Sequence, residues 1–235
     1  MIPAWNEEKN IARTLSSFAD IKTEYPVEIV VMNNNSTDST QEILDRCGVK
    51  SVLVKEQGIK YARQAGLDIA KGKYHLCADA DSIYPPGWVD IYVKTLEDET
   101  VSCAYGLLAY IPPEGNGRLF FSVYEFLKKP VMILRKKNRV HLNVLGMNFG
   151  FRTEDGRKTG GFDYVKTRWT DGWMALKLRD YGKVVMLKSK DALNWTSSRR
   201  LLDDGTFGKA LKKRIFNEIK RIPGYIGKKK QTRDS

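Results

Sequence analysis

The sequence predicts an α/β fold with a mostly parallel central sheet and helices on both of its faces. Three observations predict it. Short β-like runs alternate with helical stretches through the first two-fifths of the 235 residues, the pattern of βαβ units. The strand candidates are continuous apolar runs, as strands covered on both faces must be. Clusters of short polar residues follow those runs directly, where open α/β sheets hold their ligands.

Each element follows in order. A helix is expected near 7–18, then a strand at Val27–Met32. Ser39-x-x-Glu42 fits a capping box opening a helix over 39–46. A strand at Ser51–Val54, a helix near 59–71 and a strand at Tyr74–Ala78 come next. After Pro85-Pro86-Gly87 the pattern predicts another helix and then a strand at Val101–Tyr105. Gly115-Asn116-Gly117 marks a loop, and 118–137 is an aromatic and aliphatic helix bent at Pro130. Gly160-Gly161 punctuates a loop before a helix near 171–181, with Gly182 as its carboxy-terminal stop.

Composition narrows the class. A hydrophobic content of 42% supports a sizeable core. Cys47, Cys77 and Cys103 are too scattered for a disulfide framework or a zinc site, and Cys77 lies in an apolar run. A reducing, cytoplasmic setting is expected. His75 and His141 are the only histidines, which excludes mechanisms needing several imidazoles. No run approaches the roughly 20 apolar residues of a membrane span, and the start lacks a signal pattern, so a soluble or peripheral protein is expected. The net charge is +12, but from Phe207 onward ten Lys and Arg face only Glu218 and Asp234, a net of +8. The charge is therefore mostly a property of the end, and no nucleic-acid partner is expected. Leu211, Ile215, Ile219 and Ile222 recur there at helical spacing among Lys and Arg. Such a helix can lie on an anionic membrane surface, or pack on the domain with a solvated face.

Asp79-Ala80-Asp81 follows the third strand candidate directly. Two carboxylates there can hold a divalent cation, Mg2+ or Mn2+, on a diphosphate; a solvated acidic turn is the alternative. Asn33-Asn34-Asn35-Ser36-Thr37-Asp38 also follows a strand, either to hydrogen-bond a base or ribose or to cap the next helix. Trp5 can stack on a base or simply pack, and Arg63 can reach a phosphate from its helix or stay solvated. Trp195-Thr196-Ser197-Ser198-Arg199-Arg200 ends in paired arginines that suit phosphate oxygens or a solvated turn.

In order along 1–200, these pieces resemble the inverting family-2 glycosyltransferases of GT-A fold, a Rossmann-like architecture. Pro3-Ala4-Trp5-Asn6-Glu7-Glu8 is similar to the family's Pro-Ala-Tyr-Asn-Glu, and Val30 to Asp38 to its Val-Val-Asp-Asn-Asn-Ser-Thr-Asp. Ala62-Arg63-Gln64-x-Gly66 resembles Ala-Arg-Asn-x-Gly, and Asp79-Ala80-Asp81 the metal motif. Gly160-Gly161-Phe162-Asp163 resembles the segment before the acceptor site, and Thr170-Asp171 the Glu-Asp pair that carries the base.

The resemblance implies a donor half over 1–100 and an acceptor half over 101–206, with 207–235 as a basic amphipathic segment. It implies that Pro3, Ala4, Trp5, Glu7, Asn33 and Asn35 line the nucleoside pocket. Arg63, Asp79 and Ala80 would meet nucleotide or diphosphate, and Asp81, with Asp79, the metal. Asp171 would be the base, although an Asp at a helix start is also a good N-cap. Gly161, Phe162, Thr170, Trp173, Arg199 and Arg200 would contact acceptor or diphosphate. The implied partners are a UDP- or GDP-sugar and a glycan or lipid-linked acceptor, with an anionic membrane surface nearby. Asn33 stands where the family has Asp, and Thr170 where it has Glu. Only Met1-Ile2 precede Pro3, so a shortened chain or a late-assigned start is expected. A sugar nucleotidyltransferase would instead carry a Gly-rich basic loop at Trp5–Glu8, and a nucleotide- or RNA-binding module would spread its charge over the domain.

Overall fold

The computed structural model describes residues 1–111, 140–162 and 170–199. The chain divides into two units, Met1–Ala109 with Val144–Thr196, and Tyr110–Asn143 with Ser197–Ser235. The first unit carries the elements that build the site. The loop expected at Gly115–Gly117, the helix over 118–137 and the basic segment 207–235 lie outside the described residues.

Strands β1 (Ile2–Ala4), β2 (Val30–Asn33) and β3 (Lys50–Leu53) form a parallel ladder in the order β1-β2-β3. The strand expected from Val27 starts later, at Val30, because the ladder begins with Val30↔Lys50 and Ile2↔Val31 and offers 27–29 no partner. Beside β1 lies β4 (Tyr74–Cys77): the Met1 amine donates to Leu76 O at 3.0 Å, and Ala78 N–H donates to Met1 O at 3.1 Å. β5 (Ser82–Ile83) follows the Asp79–Asp81 turn.

Further along come β6 (Val101–Tyr105), β7 (Leu107–Ile111), β8 (Phe149–Arg152), β9 (Lys183–Met186) and β10 (Leu193–Ser197). A second sheet runs β4-β8-β6-β9, with β8 antiparallel to both neighbours and β6 parallel to β9. A short third sheet runs β5-β10-β7.

The helices are α1 (Ile11–Ala19), α2 (Thr40–Arg46), α3 (Ile59–Ile69), α4 (Trp88–Leu96), α5 (Thr153–Lys158) and α6 (Thr170–Leu178). α1 buries Ile11, Thr14, Ser17 and Phe18, one stripe at helical spacing. α4 buries Trp88, Val89, Tyr92, Val93 and Leu96. Between them runs an aromatic chain, Phe18–Tyr84 and Tyr84–Trp88 at 4.7 Å and Trp88–Tyr92 at 5.3 Å. Each such pair adds about 0.5–1.5 kcal/mol beyond the area it buries.

Two local expectations are corrected. Ser39 precedes α2 but its side chain makes no capping bond. Asp38 Oδ1 instead serves the helix start, accepting the Thr40 N–H at 3.0 Å and the Thr40 hydroxyl at 2.5 Å. Helix α6 ends at Leu178, so Gly182 does not stop it. Gly182 (φ 155°) leads into β9, where a Cβ would stand 2.8 Å from Thr100 O.

All three thiols are free, with Cys47 exposed and Cys77 and Cys103 buried. Burial pushes the Cys77 thiol up to about 12 and also raises Cys103. Among the described residues no helix is long and apolar enough to cross a membrane.

His75 is 4% exposed and stacks on Phe151 at 5.1 Å. Burial, then the terminal amine and Arg157, hold its pKa well below the ordinary value. The folded imidazole is neutral, while the unfolded one charges below about pH 6.5. This stability is present above the unfolded pKa and is lost as the pH falls below it. Urea midpoints measured from pH 7 to 5 are expected to fall less steeply for His75→Phe than for the wild type. Equal slopes would remove His75 as the source.

Candidate active site

The carboxyl ends of β1, β2 and β4 release three loops on one side of the sheet. The first two are zipped together by side chains. Asn6 N–H donates to Ser36 Oγ at 3.0 Å, and Thr37 N–H returns to Asn6 Oδ1 at 2.8 Å. Glu7 N–H donates to Thr40 Oγ1 at 2.8 Å, and Glu8 N–H to Asp38 Oδ2 at 3.1 Å. Asn6 and Asn35 hold positive φ, 52° and 58°, a conformation asparagine tolerates because its amide bonds locally.

Pro3 and Ala4 are buried in β1. Trp5 leaves 53% of its surface in solvent, directly beyond buried Ala4. Glu7 is buried and accepts from Asn10 Nδ2 at 3.0 Å. Asn33 is held at both ends of its amide: Oδ1 accepts Ser36 N–H at 3.1 Å, and Nδ2 donates to Gln41 Oε1 at 2.8 Å. Asn34, within the run expected to bond a base or ribose or to cap a helix, pins the following loop. Its Nδ2 donates to Val54 O and Glu56 O, and its Oδ1 accepts Gly58 N–H at 2.7 Å. Asn35 is exposed.

Asp79, Ala80 and Asp81 are buried in the turn beyond β4. Tyr84 Oη accepts Asp79 N–H at 2.8 Å and donates to Met147 O at 3.0 Å. Burial first, and the Asp79 carboxylate second, push the Tyr84 phenol well above its ordinary pKa and keep that donor protonated. Asp81 Oδ1 accepts long bonds from Thr196 Oγ1 at 3.4 Å and Ser82 Oγ at 3.5 Å.

Arg63, on α3, is 4% exposed and joins residues far apart in sequence. Its Nη1 donates to Thr170 Oγ1 at 2.7 Å, across 107 positions, and pairs with the Asp171 carboxylate. Its Nη2 lies 3.5 Å from Asp79 Oδ1. The neighbouring Gln64 Oε1 accepts Phe162 N–H at 2.6 Å. Gly161 (φ 71°) permits that approach, since a Cβ there would stand 2.8 Å from Gln64 Nε2. One turn of α3 thus gathers Asp79, Gly161-Phe162 and Thr170-Asp171.

Asp171 lies in the first turn of α6 rather than preceding it, where a carboxylate complements the helix dipole. Thr170 is buried beneath Arg63. Phe162 is fully buried 6.4 Å from Phe151, which puts its ring in the core. Trp173 is half-buried, and its Nε1 has no hydrogen-bond partner among the described residues. Arg199 N–H donates to Ser197 Oγ at 3.3 Å in the second unit. Asp163 and Arg200 lie outside the described residues.

Among the described residues no group of three or more His, Cys, Asp or Glu converges as a complete metal cage. Asp79 and Asp81 nevertheless fit a divalent cation. Asp79 Oδ1 is buried without a hydrogen-bond partner, and Asp81 is buried two residues on in the same turn. Two hard oxygen ligands suffice where a diphosphate supplies others.

The sheet order and the strand-end carboxylates define a GT-A glycosyltransferase fold. S. aureus TarS 1–349, solved with UDP, matches with a TM-score of 0.66 at 17% identity, covering 98% of this chain and 74% of that one. A mannosyltransferase, PcManGT from Pyrobaculum calidifontis, solved with GDP-Man and Mn2+, matches with a TM-score of 0.62 at 20% identity, covering 95% and 67%. The family model of glycosyl transferase family 2 matches residues 1–157, and the chain belongs to that family. The chondroitin synthase of Pasteurella multocida is 30% identical over 121 residues, 49% of this chain but 12% of that longer protein.

Proposed function

We propose that this chain is an inverting glycosyltransferase that moves a sugar from a UDP- or GDP-sugar to the hydroxyl of a glycan or lipid-linked acceptor, in polysaccharide or glycoconjugate synthesis. The observation that carries this reading is the Arg63 bridge, which joins Asp79 at the end of β4 to Asp171 at the start of α6. Donor-side and acceptor-side carboxylates thereby share one site. Family membership supports the transfer chemistry and weighs against a nucleotidyltransferase or an RNA-binding module. The UDP and GDP-Man bound by the two structural neighbours support a nucleotide-sugar donor.

Trp5, with Glu7 and Asn33 behind it, bounds the nucleoside, and its exposed ring suits stacking on a base. Asp79 and Asp81 are the residues that would hold Mg2+ or Mn2+. When bound, the cation neutralises the charge that builds on the leaving group. Asp171 takes the proton of the acceptor hydroxyl. The acceptor oxygen bonds to the anomeric carbon from the face opposite the diphosphate, whose C–O bond breaks with its electron pair, so configuration inverts.

Calorimetric titration with UDP and GDP, with and without Mn2+, tests the donor end. For the wild type Mn2+ is expected to tighten binding of one nucleotide about tenfold or more, a gain of about 1.4 kcal/mol. Asp81→Ala is expected to lose that gain. Metal-independent binding that ignores the substitution would remove Asp79 and Asp81 from the site.

A further inference from the structure

Arg63 stands between the two ends of the site. Its three partners come from different places: Asp79 from the turn after β4, Thr170 and Asp171 from the start of α6. The contacts close a ring. Arg63 Nη1 donates to Thr170 Oγ1 at 2.7 Å, Thr170 Oγ1 donates to Asp171 Oδ1 at 3.1 Å, and Asp171 pairs back with Nη1. Each member is oriented by the other two. The backbone of Gly146 closes over them, since a Cβ there would lie 2.4 Å from Arg63 Cζ and 2.7 Å from Asp171 Oδ1. The Arg63 and Asp79 side chains are 5% and 10% exposed, whereas Asp171 keeps 20%. The guanidinium is thus sealed inside, while the carboxylate it holds still opens outward.

We propose that Arg63 is a positioning residue: it sets the orientation of Asp171 and braces that base against the donor carboxylate Asp79. This rests on the reading of Asp171 as the base. The chemistry demands arginine, because a rigid planar fork meets two or three oxygens at fixed angles. Lysine keeps the charge as a flexible point donor and cannot hold the whole set. A direct role in gripping diphosphate fits less well, because both terminal nitrogens already meet protein oxygens and Nε is buried.

Arg63→Lys separates these roles. Nucleotide affinity is read by calorimetry with UDP or GDP and Mn2+. Turnover is read as nucleoside diphosphate released from UDP-glucose, UDP-N-acetylglucosamine and GDP-mannose, with water as the acceptor. The expected result is a kcat about 30-fold lower with nucleotide affinity within about threefold of wild type. Weaker nucleotide binding at unchanged kcat would make Arg63 a donor ligand and overturn the proposal. Equal losses in both, or no loss in either, would overturn it as well. Should Arg63→Lys not fold, Thr170→Val removes the bridging hydroxyl and leaves both charges; an unchanged kcat there would overturn the proposal. Asp171→Asn separates the two levels. Full turnover in that variant defeats the reading of Asp171 as base, whereas an inactive Asp171→Asn beside a fully active Arg63→Lys defeats only the positioning role.

Discussion

Asp171→Asn is expected to lower transfer by about 10³-fold while leaving nucleotide binding within about threefold of wild type. Asparagine keeps the shape of the side chain and can still accept from the Thr170 hydroxyl. It cannot take a proton from an acceptor. Arg63 loses one anionic partner but keeps Thr170 and Asp79, so the cost in stability should fall below the roughly 3–5 kcal/mol of a fully orphaned buried charge. A steady-state transfer assay beside calorimetry checks both halves. Turnover retained within tenfold would mean that another group accepts the proton. The contrast with Asp81→Ala is diagnostic, since that change acts on binding and this one on the chemical step.

The second large effect lies beneath the site. Asn148→Ala is expected to destabilise the fold by about 3–5 kcal/mol. Asn148 is almost wholly buried, and its amide serves four groups, two of them on α4. Nδ2 donates to Leu107 O at 2.6 Å and Ala192 O at 2.8 Å, while Oδ1 accepts from Trp88 Nε1 and the Tyr92 hydroxyl, each at 2.8 Å. Alanine strands two carbonyls and the indole N–H in a dry interior; the Tyr92 hydroxyl keeps its bond to Asn148 O at 2.9 Å. At roughly 2–4 °C per kcal/mol for a chain of this size, the thermal midpoint should drop by about 10 °C. A shift under about 2 °C would show that the network contributes little. Nucleotide affinity below the transition should survive, because none of these groups lines the donor loops.

The strands and helices of the first hundred residues were legible because each carries a local signal. β6 occupies Val101–Tyr105 as expected, and α3 begins at Ile59 as the pattern requires. β8 left no such signal. Phe149–Arg152 is a four-residue run containing a glycine, and its seat between β4 and β6 is fixed by pairings far away in sequence. Asp79 and Asp81 stood out because they flank a single residue just beyond a strand. The side-chain ring around Arg63 was not, because nothing in Ala62-Arg63-Gln64 says which distant oxygens will meet the guanidinium. Ser39 was misread for a related reason. Asp38, one residue earlier, caps the helix instead, through the Thr40 amide. Gly146 and Asn148 had no pattern to betray them, since their roles exist only after the sheets have come together.

The zipped loops at Trp5–Glu8 and Ser36–Thr40 carry a consequence for how such a protein can diverge. Each loop supplies hydrogen-bond partners for the other's backbone, through Asn6, Ser36, Asp38 and Thr40. A substitution in one is felt at once as an orphaned amide in the other. The two segments must drift as a pair, and a chimaera taking them from different ancestors would inherit mismatched halves. If this rim meets the nucleoside as proposed, donor preference changes by paired steps and drifts more slowly than the surface around it.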